Sequence, residues 1–141
     1  MRQFNVIDRI QDGEFSFIEK ELNIQLPEIL KDYLKKYGGM NIVENTFYTK
    51  DKKDFQLGQF LMFDEILNLS KEFLREYHRR LVPFAFDGGG WHFCLSFDEE
   101  TYGKIIINRW TDYLPEEQFL IIADSFEEFI NGLKTEEESI L

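Results

Sequence analysis

The chain has 141 residues, a formal net charge of −11, 43% hydrophobic and 16% aromatic residues. That length fits one domain, expected over residues 1–141, with a core at about 14–133 and an acidic, frayed tail at 134–141. Aromatic and apolar content this high excludes a disordered chain. No apolar run approaches the roughly 18 residues of a membrane span, and the N-terminus lacks the apolar core of a signal peptide. The single cysteine, Cys94, excludes an internal disulfide and fits a reducing, cytoplasmic setting.

Charge is unevenly spread. From Asp112 to Leu141 there are nine acids against one base, Lys134. In Lys71–Arg80, Lys71, Arg75, Arg79 and Arg80 outnumber Glu72 and Glu76. A nucleic-acid binder needs a basic footprint that this pattern does not offer. An acidic surface suits a basic protein partner, and it also serves simple solubility.

In chain order, Ser16-Phe17-Ile18-Glu19 has the pattern of a capping box, and Phe15, Ile18 and Leu22 share one helical face. Pro27 suits a first helical position. Leu30, Tyr33, Leu34 and Tyr37 then form an amphipathic stripe, ended by Gly38 and Gly39. Two weaker strands are expected near Ile42–Tyr48 and Phe55–Met62, joined by a charged loop. Phe63, Ile66, Leu67, Ser70, Phe73, Leu74 and Tyr77 keep a helical period from Asp64 to about Arg79, with Asn68 and Ser70 allowing a break.

The second half is strand-rich. Leu81–Phe86 is a compact apolar run, and Trp91, Phe93, Leu95 and Phe97 alternate with polar or small residues. Lys104–Trp110 reads as a strand whose Ile105-Ile106-Ile107 is buried on both faces. Gln118–Ile122 is a further strand. Ser125-Phe126-Glu127-Glu128 opens a last helix with Phe126, Phe129, Ile130 and Leu133 on one stripe. Helices, then a meander, then a closing helix give an α+β domain. Its sheet is expected to be largely antiparallel, with helices over one face or one end.

Three pieces of the sequence resemble the SUKH superfamily, which includes yeast-type regulators of cell-wall glucan synthesis. They are Ile18-Glu19-Lys20-Glu21-Leu22 through Leu26-Pro27 to Tyr37-Gly38-Gly39, then Leu81-Val82-Pro83-Phe84-Ala85 with the glycines and Phe93-Cys94-Leu95, then Gly103–Ile107 and Ile122–Ile130. The chain departs from the family at Trp91, where an acid often stands, and at Asn108–Asp112. The resemblance implies a non-enzymatic protein-binding domain. Bacterial relatives are largely immunity proteins that neutralise a toxin, and fungal relatives are regulatory interaction modules.

The residues themselves carry no catalytic pattern. Asp87-Gly88-Gly89-Gly90 is read as a tight turn between paired strands, with an anion nest as the alternative. It lacks the Gly-Lys-Ser/Thr ending of a phosphate loop. His92, His78 and Cys94 are too few and too scattered for zinc, and Cys94 with His92 lacks a third orienting group. Glu99-Glu100 and Glu116-Glu117 read as solvated charges. No cofactor or metal is expected. Trp91 and Trp110 sit at strand ends, as core caps or as interface anchors. The expected protein-binding set is Asp87, Gly88, Gly89, Gly90, Trp91, Trp110, Glu116 and Glu117. The expected partner is a protein, a basic toxin on the immunity reading, with neither nucleic acid nor membrane, and the chain itself a monomer or weak homodimer.

Overall fold

A computed structural model describes residues 8–43 and 45–135. Four helices and seven strands alternate as α1 (Asp12–Leu22), α2 (Glu28–Tyr37), β1 (Thr46–Tyr48), β2 (Asp54–Gln56), β3 (Gln59–Phe60), α3 (Phe63–Tyr77), β4 (Leu81–Phe86), β5 (His92–Ser96), β6 (Ile105–Asn108), β7 (Phe119–Ala123) and α4 (Phe126–Asn131). The fold is α+β, as its sequence pattern requires. Strands β3 to β7 form one antiparallel sheet in chain order, and β1–β2 form a separate hairpin.

Helix α1 begins four residues before Ser16. Its first turn is closed by Glu14, whose carboxylate accepts from the Gln11 N–H at 2.9 Å. The Ser16 hydroxyl instead donates back to the Asp12 carbonyl at 3.0 Å, and Glu19 holds the Leu26 N–H at 2.8 Å. The Ser16–Glu19 pair is therefore no cap: its carboxylate fixes the α1–α2 corner. Pro27 stands one residue before α2, and Gly39 takes the left-handed φ of +76° that lets the chain leave it.

The expected strand at Phe55–Met62 is two strands. Phe55 pairs with Phe47 in the hairpin, whereas Gln59 and Phe60 pair with Phe86 and Ala85 in the main sheet. Leu57 and Gly58 make the switch, with the Gly58 N–H donating to the Phe86 carbonyl at 2.7 Å. Helix α3 runs unbroken through Asn68 and Ser70.

Side chains alternate across β5 and β6. Phe93, Leu95, Ile105 and Ile107 join the main core with Phe84, Phe126 and Phe129. Cys94 and Ile106 face the other way, onto Phe73, with Tyr77, Trp110 and Phe119 around them. Helices thus reach both faces, α4 on one and the second half of α3 on the other, rather than one face or end alone. Ile105, Ile106 and Ile107 are all buried, as a strand covered on both sides must be. Three aromatic contacts, Phe84 to Phe126 and Phe129, and Phe93 to Phe129, have ring centroids 5.1–5.7 Å apart and pin α4 to the sheet. Lys134 is not frayed, because it exchanges backbone hydrogen bonds with Thr46 at 2.8 and 2.9 Å. The remaining acids of the expected tail, Glu136–Glu138, lie outside the described residues.

Candidate protein-binding end of the sheet

The β4–β5 connection is the tight turn its glycines imply. Asp87 donates its N–H to the Trp91 carbonyl at 2.8 Å, and the Gly90 N–H reaches the Asp87 carbonyl at 3.3 Å. One carboxylate oxygen of Asp87, Oδ1, accepts from the Gly89 and Trp91 N–H groups, both at 2.8 Å. Asp87's own carboxylate therefore sits where an external anion would, and the nest alternative fails. Of the three glycines only Gly90 has positive φ, +96°. A Cβ on Gly88 or Gly90 would meet no atom within 4 Å, so the packing here does not demand glycine. What the three share is exposure to solvent.

The β6–β7 connection folds over the same end. Asn108 is buried, and its Oδ1 accepts from the Trp110 N–H at 2.9 Å and from Gln118 Nε2 at 3.0 Å. This clamp ends β6 before Trp110, which is not strand but the start of a 3-10 turn at φ +52°. A non-glycine residue in that region costs about 1–2 kcal/mol, so its neighbours must hold it. Arg109 is buried beneath: its N–H and guanidinium bind the carbonyls of Gln118, at 2.8 Å, and Glu117. Its guanidinium carbon lies 3.7 Å from the centre of the Tyr113 ring, a cation–π contact.

The two connections are laced by their tryptophans. Trp91 Nε1 donates to Asp112 at 2.6 Å, and its ring meets Tyr113 edge-on at 5.8 Å. Trp110 Nε1 donates to the Gly90 carbonyl at 3.2 Å and to His92 Nδ1 at 3.1 Å, while its ring lies 5.5 Å from Phe73. Trp110 is thus the inner core cap and Trp91 the outer platform, both half-buried. An Nδ1 that accepts requires a neutral imidazole. Burial lowers the His92 pKa below its usual 6.5, with nearby Asp87 opposing the shift more weakly.

All eight expected residues fall at this one end. Gly88–Gly90, Glu116 and Glu117 are exposed there, with the carboxylates of Asp87 and Asp112 tied inward. Arg109, Asp112 and Tyr113 also belong to this end, though outside the expected set. Tyr113 is legible in the sequence as an aromatic residue beside the tryptophans, Arg109 and Asp112 only as part of a polar, irregular stretch between two apolar strands. Cys94 is fully buried, its thiol pushed up by desolvation, with only a weak 3.8 Å contact to the His92 carbonyl. Among the described residues no group of three His, Cys, Asp or Glu is placed to hold a metal ion, and no helix is long and apolar enough to cross a membrane.

Residues 12–130 match the family SUKH_6, described as SMI1-KNR4 cell-wall. The chain belongs to the SUKH superfamily. The match opens on the first residue of α1 and closes within α4, so the SUKH match takes in every strand and both tryptophan-bearing connections. This SUKH protein is also 31% identical over 144 residues to the SPbeta prophage-derived uncharacterized protein YokK of Bacillus subtilis (strain 168), a similarity covering 84% of the chain and 72% of that relative.

Proposed function

We propose that this SUKH protein is a non-enzymatic binding domain that acts as an immunity protein, neutralising a basic toxin by occupying it. The observation that carries the reading is the end of the sheet where Trp91, Tyr113 and an exposed triglycine backbone stand beside Glu116 and Glu117. Aromatic side chains with a polar handle are the usual anchors of protein interfaces. A rim of carboxylates steers a basic partner into place. The prophage origin in the name of the Bacillus subtilis relative fits protective cargo. Family membership supports protein binding in general.

The cell-wall description of the family favours a second reading, a regulatory interaction module with an endogenous partner. Capture on the tagged protein from native cells and close competitors, read by mass spectrometry, separates the two. The immunity reading expects one basic protein whose expression is toxic alone and harmless with this chain. Recovery of endogenous envelope or regulatory proteins only, without any toxicity to relieve, overturns it.

A further inference from the structure

Among the described residues, the main sheet closes one edge and leaves the other open. At β3 the edge is covered by loop backbone: the Gly39 N–H donates to the Phe60 carbonyl at 2.9 Å, and the Phe60 N–H to the Met40 carbonyl at 3.0 Å. Strand β7 forms the opposite edge. Its register places Asn108 opposite Phe119, Ile107 opposite Leu120 and Ile106 opposite Ile121. The Arg109 N–H donates to the Gln118 carbonyl, and the alternation of an antiparallel ladder then turns Leu120 toward β6 and turns the N–H and C=O of Phe119 and Ile121 outward. Proteins usually blunt such an edge with charge, proline or cover. Phe119-Leu120-Ile121-Ile122-Ala123 has neither charge nor proline, and Ile121 is 46% exposed. Only a register shift near Ile122 bends its far end.

A groove of about 330 Å³ runs beside this strand. Residues 121–124 line one wall and residues 47–51, from β1 and its turn, line the other. A strand's face shows only alternate residues, so Ile121, Ile122 and Ala123 in succession, with Asp124 just past the strand, place the groove along the edge. It is a slot between the edge strand of one sheet and a strand of the other. Asp51, Asp124 and Glu128 line it with Lys50, and Lys53 pairs with Asp51 at 3.8 Å. Asp124 is shared by Lys50 at 3.6 Å and Lys104 at 3.1 Å, which hold its carboxyl below the usual range, hydrogen bonding to Lys104 first. Glu116 and Glu117 precede the strand. Two copies pairing edge to edge would bring these acidic ends together, whereas a basic strand would neutralise them.

We propose that β7 accepts an extended segment of a basic partner protein as an added strand, apolar residues alternating with Lys or Arg. Main-chain hydrogen bonds to Phe119 and Ile121 supply the affinity of this mode, and the flanking acids supply its charge preference. The inference rests on the protein-binding reading and shares only Glu116 and Glu117 with it.

The test is amide hydrogen exchange by NMR on the full chain, with a synthetic Lys-Val-Lys-Val-Lys-Val amide as probe. At low salt the peptide should slow exchange at Phe119 and Ile121 at least tenfold and leave the buried Ile106 amide unchanged. Ile121→Pro removes an N–H that serves no bond inside the sheet, and Ile121→Lys adds a blocking charge. Both should abolish protection by the peptide while Ile106 stays protected. Unchanged exchange at saturating peptide overturns the proposal. So does protection that rises with protein concentration alone, which assigns the edge to a second copy. If a captured natural partner binds Ile121→Lys as well as wild type, the edge fails and the binding reading stands. If no partner is captured yet the peptide protects β7, the edge stands alone.

Discussion

Asp87→Ala is the most informative single change at the candidate site. It removes the carboxylate that accepts from Gly89 and Trp91 N–H groups at 2.8 Å each. Hydrogen bonds to a charged acceptor contribute about 1.5–3 kcal/mol each, and those at a half-exposed turn fall at or below the lower end. The two share one oxygen, so a total loss of about 2 kcal/mol is expected rather than twice that. Asp87→Asn keeps an oxygen at the same place and should recover at least half. Urea unfolding measures both. A second readout is independent of stability: Asp87 is the group that opposes the depression of the His92 pKa, so its removal should lower that pKa further, by NMR titration. Asp87→Ala within about 0.5 kcal/mol of wild type, the range of ordinary surface changes, would refute the claim that this carboxylate builds the turn.

The same turn separates two glycines. Gly90→Ala, at φ +96°, should lose about 1–2 kcal/mol in thermal unfolding, whereas Gly88→Ala, with open space and no positive φ, should be neutral or stabilise by about 0.4–1 kcal/mol. Trp110→Phe keeps the ring on Phe73 but deletes the donor to Gly90 and His92; a loss of about 1 kcal/mol is expected by urea titration, with the His92 pKa moving back toward 6.5. Because the folded His92 pKa is depressed, its contribution to stability is full above pH 6.5 and declines as pH falls below that value, where the unfolded chain takes up the proton first. Unfolding midpoints between pH 8 and pH 5 should show this decline in wild type and less of it in His92→Gln.

Burial periodicity made much of the fold legible. The Ile105-Ile106-Ile107 run, too apolar for a half-exposed strand, lies in β6, paired on both edges and with helices over both faces. The stripes of α2 and α3 were equally plain, since their buried residues recur at helical spacing. Short-range signals failed where a distant partner decided the outcome. Phe55–Met62 alternates like one strand, yet Phe47 claims one half of it and Ala85 the other. Ser16–Glu19 had the right letters for a cap, but Glu19 is held by Leu26, seven residues on. At the candidate site the glycine turn was legible because glycine marks exposed or left-handed backbone. The partnership of Trp91 with Asp112, and of Trp110 with His92, was not, because both join residues about twenty apart through side-chain hydrogen bonds that leave no period in the chain. Trp110's left-handed backbone was hidden for the same reason: Asn108, two residues away, and Gln118, ten residues from Asn108, create it together.

The central claim is that the acidic, aromatic end of the sheet receives a basic protein. Its most direct test is the association rate of the captured partner with wild type and with the double variant Glu116→Lys and Glu117→Lys, at low and at high salt. Both carboxylates are exposed and, among the described residues, make no side-chain hydrogen bond or ion pair, so the variant isolates steering. The account predicts an association rate at least several-fold slower for the variant at low salt, with the gap narrowing as salt screens the field. Equal rates for the two proteins at low salt would contradict it.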